Sequence, residues 1–223
     1  VIDRNLEMIS ECIAGACLDV GRCPAEVSVM AVTKTHTAQV IREAVAAGIR
    51  LVGENRVTEG GRKIGELGRD FAEFHLIGPF HVSEARQAVR DFHSIDSVDR
   101  MEVAVELARR KAGNPLLVEV NTSGEGTKKG FPPQPGLLTE ALGRMMEMGL
   151  DVGGLLTVGP LTSDESGSRR AFALLRELRD GLRRSLGVPL GTLSMGMSDD
   201  YLHAVREGAT TVRLGRVLLG ARR

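Results

Sequence analysis

Aromatic side chains are scarce in this sequence: they make up 3% of 223 residues, with no tryptophan and a single tyrosine. The core must therefore be built from Val, Leu, Ile, Ala and Met, close-packed as aliphatic interiors are. Net charge is missing as well, since 29 Lys and Arg balance 29 Asp and Glu. That balance argues against a general nucleic-acid binder, which needs a basic excess or stripe. No apolar run reaches the roughly 20 residues needed to span a bilayer, and the first residues show no charged-then-apolar secretory pattern. Cysteine is limited to Cys12, Cys17 and Cys23. Their spacing matches no zinc ligand set, and the histidines form no metal pattern either. An odd number of thiols points to a reducing compartment. The expectation is a cytoplasmic protein with no metal, membrane or nucleic-acid partner.

Glycine is plentiful instead, at 27 residues or roughly 12%, against about 7% in average usage. Together with small aliphatic residues it suggests many tight strand-to-helix turns. Residues 2–20 place Leu6, Ile9, Ile13 and Cys17 on one face at helical spacing, predicting an amphipathic N-terminal helix. Short apolar, β-branched runs then recur at 27–33, 49–53, 74–77, 92–95, 116–120, 152–158, 192–195 and 211–214. Segments of helical period separate them, among them 38–47, 98–112, 137–148 and 168–186, while 121–136 reads as a loop. Strands alternating with helices imply a parallel sheet. Eight such units fit a (β/α)8 TIM barrel forming one domain over 1–223, with the first helix as an addition. The rival is an open doubly wound sheet, which usually carries a Gly-rich fingerprint after its first strand. Here that strand ends in Thr33-Lys34-Thr35.

Functional groups of such a barrel gather at the C-terminal strand ends. Lys34 follows a run that should be largely buried, where partial loss of water disfavours the ammonium form. A neutral amine there can attack an aldehyde or ketone to form a Schiff base. The same position also suits a lysine whose stem covers apolar surface while its head reaches solvent. At the eighth strand end, the backbone of Gly215 and Arg216 can approach an anion closely, and Ser194 and Ser198 can add hydroxyls from the seventh. Those glycines can equally be plain turn residues. Asn55 and His75 are placed to bond a ligand ring or to orient Lys34, although a histidine beside a strand can also be a satisfied core residue.

Seven motifs occur in order. They are Ala31-Val32-Thr33-Lys34-Thr35, Gly53-Glu54-Asn55-Arg56-Val57, His75-Leu76-Ile77-Gly78, Val120-Asn121-Thr122-Ser123-Gly124-Glu125, Gly154-Leu155-Leu156-Thr157-Val158-Gly159, Leu193-Ser194-Met195-Gly196-Met197-Ser198 and Val212-Arg213-Leu214-Gly215. Together they resemble the pyridoxal phosphate homeostasis protein family, from the first strand to Gly220-Ala221-Arg222. The resemblance implies a barrel like the N-terminal domain of alanine racemase, with pyridoxal 5'-phosphate (PLP) held as a Schiff base on Lys34. It places Arg213 at the pyridine nitrogen, the backbone of Gly215 and Arg216 with the Ser194 hydroxyl around the phosphate, and Asn55, His75 and Met195 beside the cofactor. An arginine at that nitrogen opposes its protonation and weakens the ring as an electron sink. Alanine racemase adds a catalytic tyrosine from a C-terminal domain. This chain stops just after its eighth strand, and its one tyrosine is Tyr201. The implied role is intracellular vitamin B6 homeostasis: a monomer that holds PLP and hands it to apo-enzymes without robust catalysis. A slow amino-acid racemase or a Schiff-base aldolase is the alternative. The sequence departs from the family at 79–84, where Pro79-Phe80-His81-Val82-Ser83-Glu84 stands in place of a Gln-x-Asn-Lys segment.

Overall fold

The computed structural model describes residues 1–160 and 165–220. Its strands are β1 (Ser28–Val32), β2 (Leu51–Glu54), β3 (Glu73–Leu76), β4 (Ser94–Val98), β5 (Leu116–Glu119), β6 (Val152–Leu156), β7 (Thr192–Ser194) and β8 (Thr211–Leu214). They close in sequence order into one barrel. Every neighbour pair is parallel, and Ser28↔Thr211 through Ala31↔Leu214 join the last strand to the first. This is the closed (β/α)8 barrel, and the open sheet is excluded. All eight expected strands form, with ends moved by at most three residues. The largest change is at β4, where Phe92 is instead the buried residue that ends the preceding helix.

An N-terminal helix, α1 (Ile2–Leu18), buries Ile9, Ile13 and Cys17 as its periodicity requires. The periodic segments become α2 (Ala38–Ala46), α5 (Met101–Arg109), α6 (Pro135–Glu147) and α7 (Glu165–Leu186). Four further helices complete the ring of described residues: α3 (Val57–Leu67), α4 (Ala85–Asp91), α8 (Tyr201–Arg206) and α9 (Arg216–Leu219). Helix α3 holds Gly60, Gly61 and Gly65, which lower its intrinsic propensity. It forms because Val57, Gly60, Lys63 and Ile64 share a face buried against the barrel. The 121–136 segment is irregular up to Pro135, which opens α6 where a missing N–H costs nothing. Its return is tied to the barrel by the Val120↔Phe131 bridge.

Side chains alternate between the barrel lumen and the helical layer. A Cβ at Gly53 would meet Met30 Sδ at 2.8 Å and Ile77 Cδ1 at 2.9 Å, so these three positions share the lumen. The layer between sheet and helices is mainly aliphatic, with Phe74, Phe92 and Phe172 as rings wholly shielded from solvent. The three cysteines are all free thiols. No helix among the described residues is long and apolar enough to cross a membrane.

Candidate functional site

A cavity of about 760 Å³ opens at the C-terminal mouth of the barrel. Lys34 reaches it from the end of β1, Asn55 from β2, Glu119 from β5, and Arg213, Gly215 and Arg216 from β8. Ile77 and Val32 give it apolar walls, and the turn after β7 adds Met197, Ser198 and Asp199. Two glycines make this mouth possible. A Cβ at Gly78 would sit 2.2 Å from the Asn55 carbonyl oxygen, so the β2 and β3 ends can approach only without one. Gly196 turns at φ +93°, and a Cβ there would lie 2.6 Å from that of Ala204.

Arg213 is the strongest electrostatic feature. Its side chain is 4% exposed and still lines the cavity. Nη1 donates to Ser194 Oγ at 2.9 Å and Nη2 to the Thr157 carbonyl at 2.7 Å. Both hydrogen-bond partners are neutral, so they orient the guanidinium without forming an ion pair with it. Thr157 in turn donates to the Val120 carbonyl at 2.7 Å and meets Thr122 Oγ1 at 2.9 Å, which locks the ends of β5, β6 and β8 together. Burial pulls the guanidinium below its ordinary value, against the opposing fields of Glu119, Asp96 and Asp200. A guanidinium has enough reserve to stay protonated there. Burial pushes the Glu119 carboxyl up, as does the charge of Asp99, while Arg213 and Lys129 pull it down.

At β8 the chain enters α9 through Gly215, and Ser198 Oγ accepts from the Val217 N–H at 3.3 Å. The Arg216 side chain turns outward to pair with Asp199. The unusual 79–84 segment is well tied: the His81 N–H donates to Glu84 Oε2 at 2.9 Å and the Glu84 N–H to the His81 carbonyl at 2.9 Å. Glu84 thus organises the entry to α4, while Pro79 lines the cavity.

The structure brings together Lys34, Asn55, Arg213, Gly215 and Arg216 of the residues expected at a site. His75, Ser194 and Met195 are not among the cavity lining. His75 lies deeper in the lumen, with Nδ1 2.9 Å from Asp96 Oδ2 and Nε2 3.2 Å from Glu73 Oε1. Ser194 Oγ is occupied from below by Arg213, and Met195 is a fully buried residue whose N–H donates to the Thr211 carbonyl. His75 lies within β3 and Ser194 is the last residue of β7, short of the loops that form the cavity rim. Ser198, the other hydroxyl expected after the seventh strand, lines the cavity, as does Glu119. Glu119 left a trace in the sequence as the one acid within Leu116-Leu117-Val118-Glu119-Val120. Tyr201 opens α8 away from the cavity, where burial and then its contact with Cys12 push its hydroxyl up to about 12. Ala221 and Arg222 lie outside the described residues.

The alanine racemase N-terminal domain family model matches residues 20–223. A pyridoxal phosphate homeostasis protein of Pseudomonas aeruginosa is 40% identical over 226 residues, covering 99% of this chain and 96% of the relative. Its counterpart in Aquifex aeolicus is 37% identical, covering 99% and 98%. PipY of Synechococcus elongatus PCC7942, solved with PLP bound, matches at a TM-score of 0.80 and 34% identity over 93% of this chain and 100% of that one. An alanine racemase of Clostridium difficile 630 shares the barrel at a TM-score of 0.73 and 15% identity, over 96% of this chain and 56% of that one. By its barrel and by near full-length identity to these relatives, the chain belongs to the pyridoxal phosphate homeostasis protein family.

Proposed function

We propose that the chain binds PLP in the barrel-mouth cavity, holds it covalently through Lys34 and releases it to apo-enzymes that require it, as a cytoplasmic monomer serving vitamin B6 homeostasis. The observation that carries this reading is the convergence of Lys34 and the buried, oriented guanidinium of Arg213 on one cavity. The donor set suits the cofactor. The arginine presents N–H groups to a ring nitrogen, and the Gly215-Arg216 backbone beside Ser198 leaves room for a phosphate. The walls of Val32 and Ile77 suit a flat apolar ring.

When bound, PLP supplies an aldehyde carbon, to which the unprotonated Lys34 nitrogen adds with loss of one water. Everything else falls to the protein. Arg213, kept protonated and aimed by Ser194 and Thr157, would donate to the ring nitrogen and oppose a proton there. An arginine in that role would leave the cofactor a weak electron sink, which suits storage better than turnover of amino acids. Tyr201, away from the cavity and tied to Cys12, is not placed to exchange a substrate proton. Ser198 and the backbone at 215–216 hold the anionic end, and Arg216 with Asp199 forms an exposed rim.

The test is spectroscopic. Protein purified with PLP should show a visible absorption band that borohydride bleaches while fixing the cofactor mass to the chain. Lys34→Ala should lose both the band and the fixed mass while melting as the cofactor-free parent does. Cofactor fixed to Lys34→Ala would refute the assignment.

A further inference from the structure

Behind the cavity, on the outer side of β1, lies an ionic cluster that neither the barrel nor ligand contact requires. Lys63, on the buried face of α3, is 0% exposed. Its ammonium donates to the Thr33 carbonyl at 2.7 Å, to Glu54 Oε1 at 2.8 Å and pairs with Glu59 Oε1 at 2.8 Å. Three donors thus meet three acceptors. Glu54 Oε1 also accepts from the Thr33 hydroxyl, and Glu59 Oε1 accepts from the Thr35 N–H at 2.6 Å. Thr33 and Thr35 are the two neighbours of Lys34. The backbone that carries Lys34 is therefore gripped on both sides by one helix.

The grip acts on a strained segment. Thr35 has φ +67°, a left-handed conformation that a β-branched residue avoids and keeps only when its surroundings impose it. As a source of stability the cluster is a poor choice. Glu54 Oε2 is buried with no hydrogen-bond partner, burial pushes that carboxyl up, and a buried ion pair can often be replaced by apolar residues without loss. Its geometry has a different effect. Thr33 and Thr35 are drawn outward to α3, so the alternation of the strand leaves Lys34 facing the cavity.

We infer that Lys63, Glu54 and Glu59 are positioning residues that fix the backbone on either side of Lys34 and so aim its amine at the bound aldehyde. The inference rests on Lys34 being the residue that captures PLP. Since displacement of a reacting group by about 1 Å can cost about 100-fold in rate, loss of the grip should slow capture without closing the cavity.

Glu59→Ala is the direct test, because Glu59 is partly exposed and its loss leaves the Lys63–Glu54 pair in place. Two ligands separate aim from shape: PLP, and pyridoxine 5'-phosphate, which has the same ring and phosphate but an alcohol that cannot condense. Glu59→Ala should form the borohydride-fixed product about 10- to 100-fold more slowly while binding pyridoxine 5'-phosphate as the parent does. Glu59→Gln, which keeps an oxygen for the Thr35 N–H, should recover most of the rate. Paired Glu54→Met and Lys63→Met substitutions, which remove the buried charges together, should reproduce the slow capture in a folded protein. Equal loss of both ligands, an unchanged rate, or no recovery in Glu59→Gln would each overturn the inference. Lys34→Ala serves as the separate control. Fixed PLP in that variant rejects Lys34 as the capturing residue, whereas no fixed PLP there with full-speed capture in Glu59→Ala rejects the grip alone.

Discussion

Gly78 and Arg213 show how far single residues decide this site. At Gly78 the nearest obstacle to a side chain is the Asn55 main chain, with its oxygen 2.2 Å, Cα 2.8 Å and carbonyl carbon 2.9 Å from an added Cβ. Backbone cannot rotate aside as a side-chain tip can, so Gly78→Ala must push the β2 and β3 ends apart. The expected cost is about 2–4 kcal/mol of stability, read from denaturant unfolding, with PLP affinity falling because Asn55 moves with the strand. Gly65 has nothing within 4 Å of an added Cβ and is helical. There Gly65→Ala should gain about 0.5–1 kcal/mol, a matched control for the difference between open and closed space. Arg213 illustrates the electrostatic counterpart. Arg213→Met strips the partner from Ser194 Oγ and the Thr157 carbonyl, and removes the one buried cation that faces the cavity among the described residues. PLP binding should weaken by about 10-fold or more in a titration followed by absorbance, as expected when a charged hydrogen bond worth about 1.5–3 kcal/mol is lost.

The strands were the most legible elements, since Val-, Ile- and Leu-rich runs buried on both faces leave a continuous signal. Helices α3, α4, α8 and α9 were not, and the reasons differ. Glycines mask α3, while α4, α8 and α9 are too short for a helical period to repeat. At the site, Lys34, Arg213 and Gly215 were visible because each breaks an apolar strand end. Sequence gives order along a strand but not depth within a barrel, so it offered Ser194 and Ser198 alike, and of the two Ser198 lines the cavity. His75 lies below that lining, bonded to Asp96 and Glu73, and the position has a consequence for β3 and β4. Burial alone would lower its pKa, but the charge and hydrogen bond of Asp96, then those of Glu73, raise it from 6.5 to about 9. The folded value lies above the unfolded one, so the stabilisation is complete below about pH 6.5 and fades as pH rises through about 9. It amounts to at most about 3 kcal/mol. Chemical unfolding should show stability falling between neutral pH and pH 9.5, roughly, and His75→Gln should flatten that slope.

Strands β7 and β8 meet at Ser194↔Thr211, below the residues proposed to hold the cofactor's phosphate, and the N–H groups of Thr210, Met195 and Arg213 extend that seam by donating to the carbonyls of Leu193, Thr211 and Gly196. The N-terminal helix and the turn that follows it brace that seam from outside. Asn5 donates to the Leu218 carbonyl of α9 at 2.9 Å, and Arg22 donates to the carbonyls of Val205 and Ala209 at 2.7 and 2.9 Å. The segment that carries Gly215 and Arg216 is thus held between cavity and α1, and the cavity draws residues from the ends of β1, β2, β3, β5, β6, β7 and β8 or the turns that follow them. A ligand seated there bridges strands from both sides of the seam. Its binding energy should therefore be felt by the barrel as a unit, not by one loop. With PLP at about 100 times its dissociation constant, linkage adds about 2.7 kcal/mol. For a domain of this size that corresponds to a rise of roughly 5–10 °C in melting temperature. Calorimetry should show one transition moving upward intact, and Lys34→Ala, which keeps the phosphate cradle but not the covalent bond, should show a smaller rise. A second transition that stays in place while the first moves would mean that the seam opens independently of the cofactor, and the coupling between α1, α9 and the cavity would have to be abandoned.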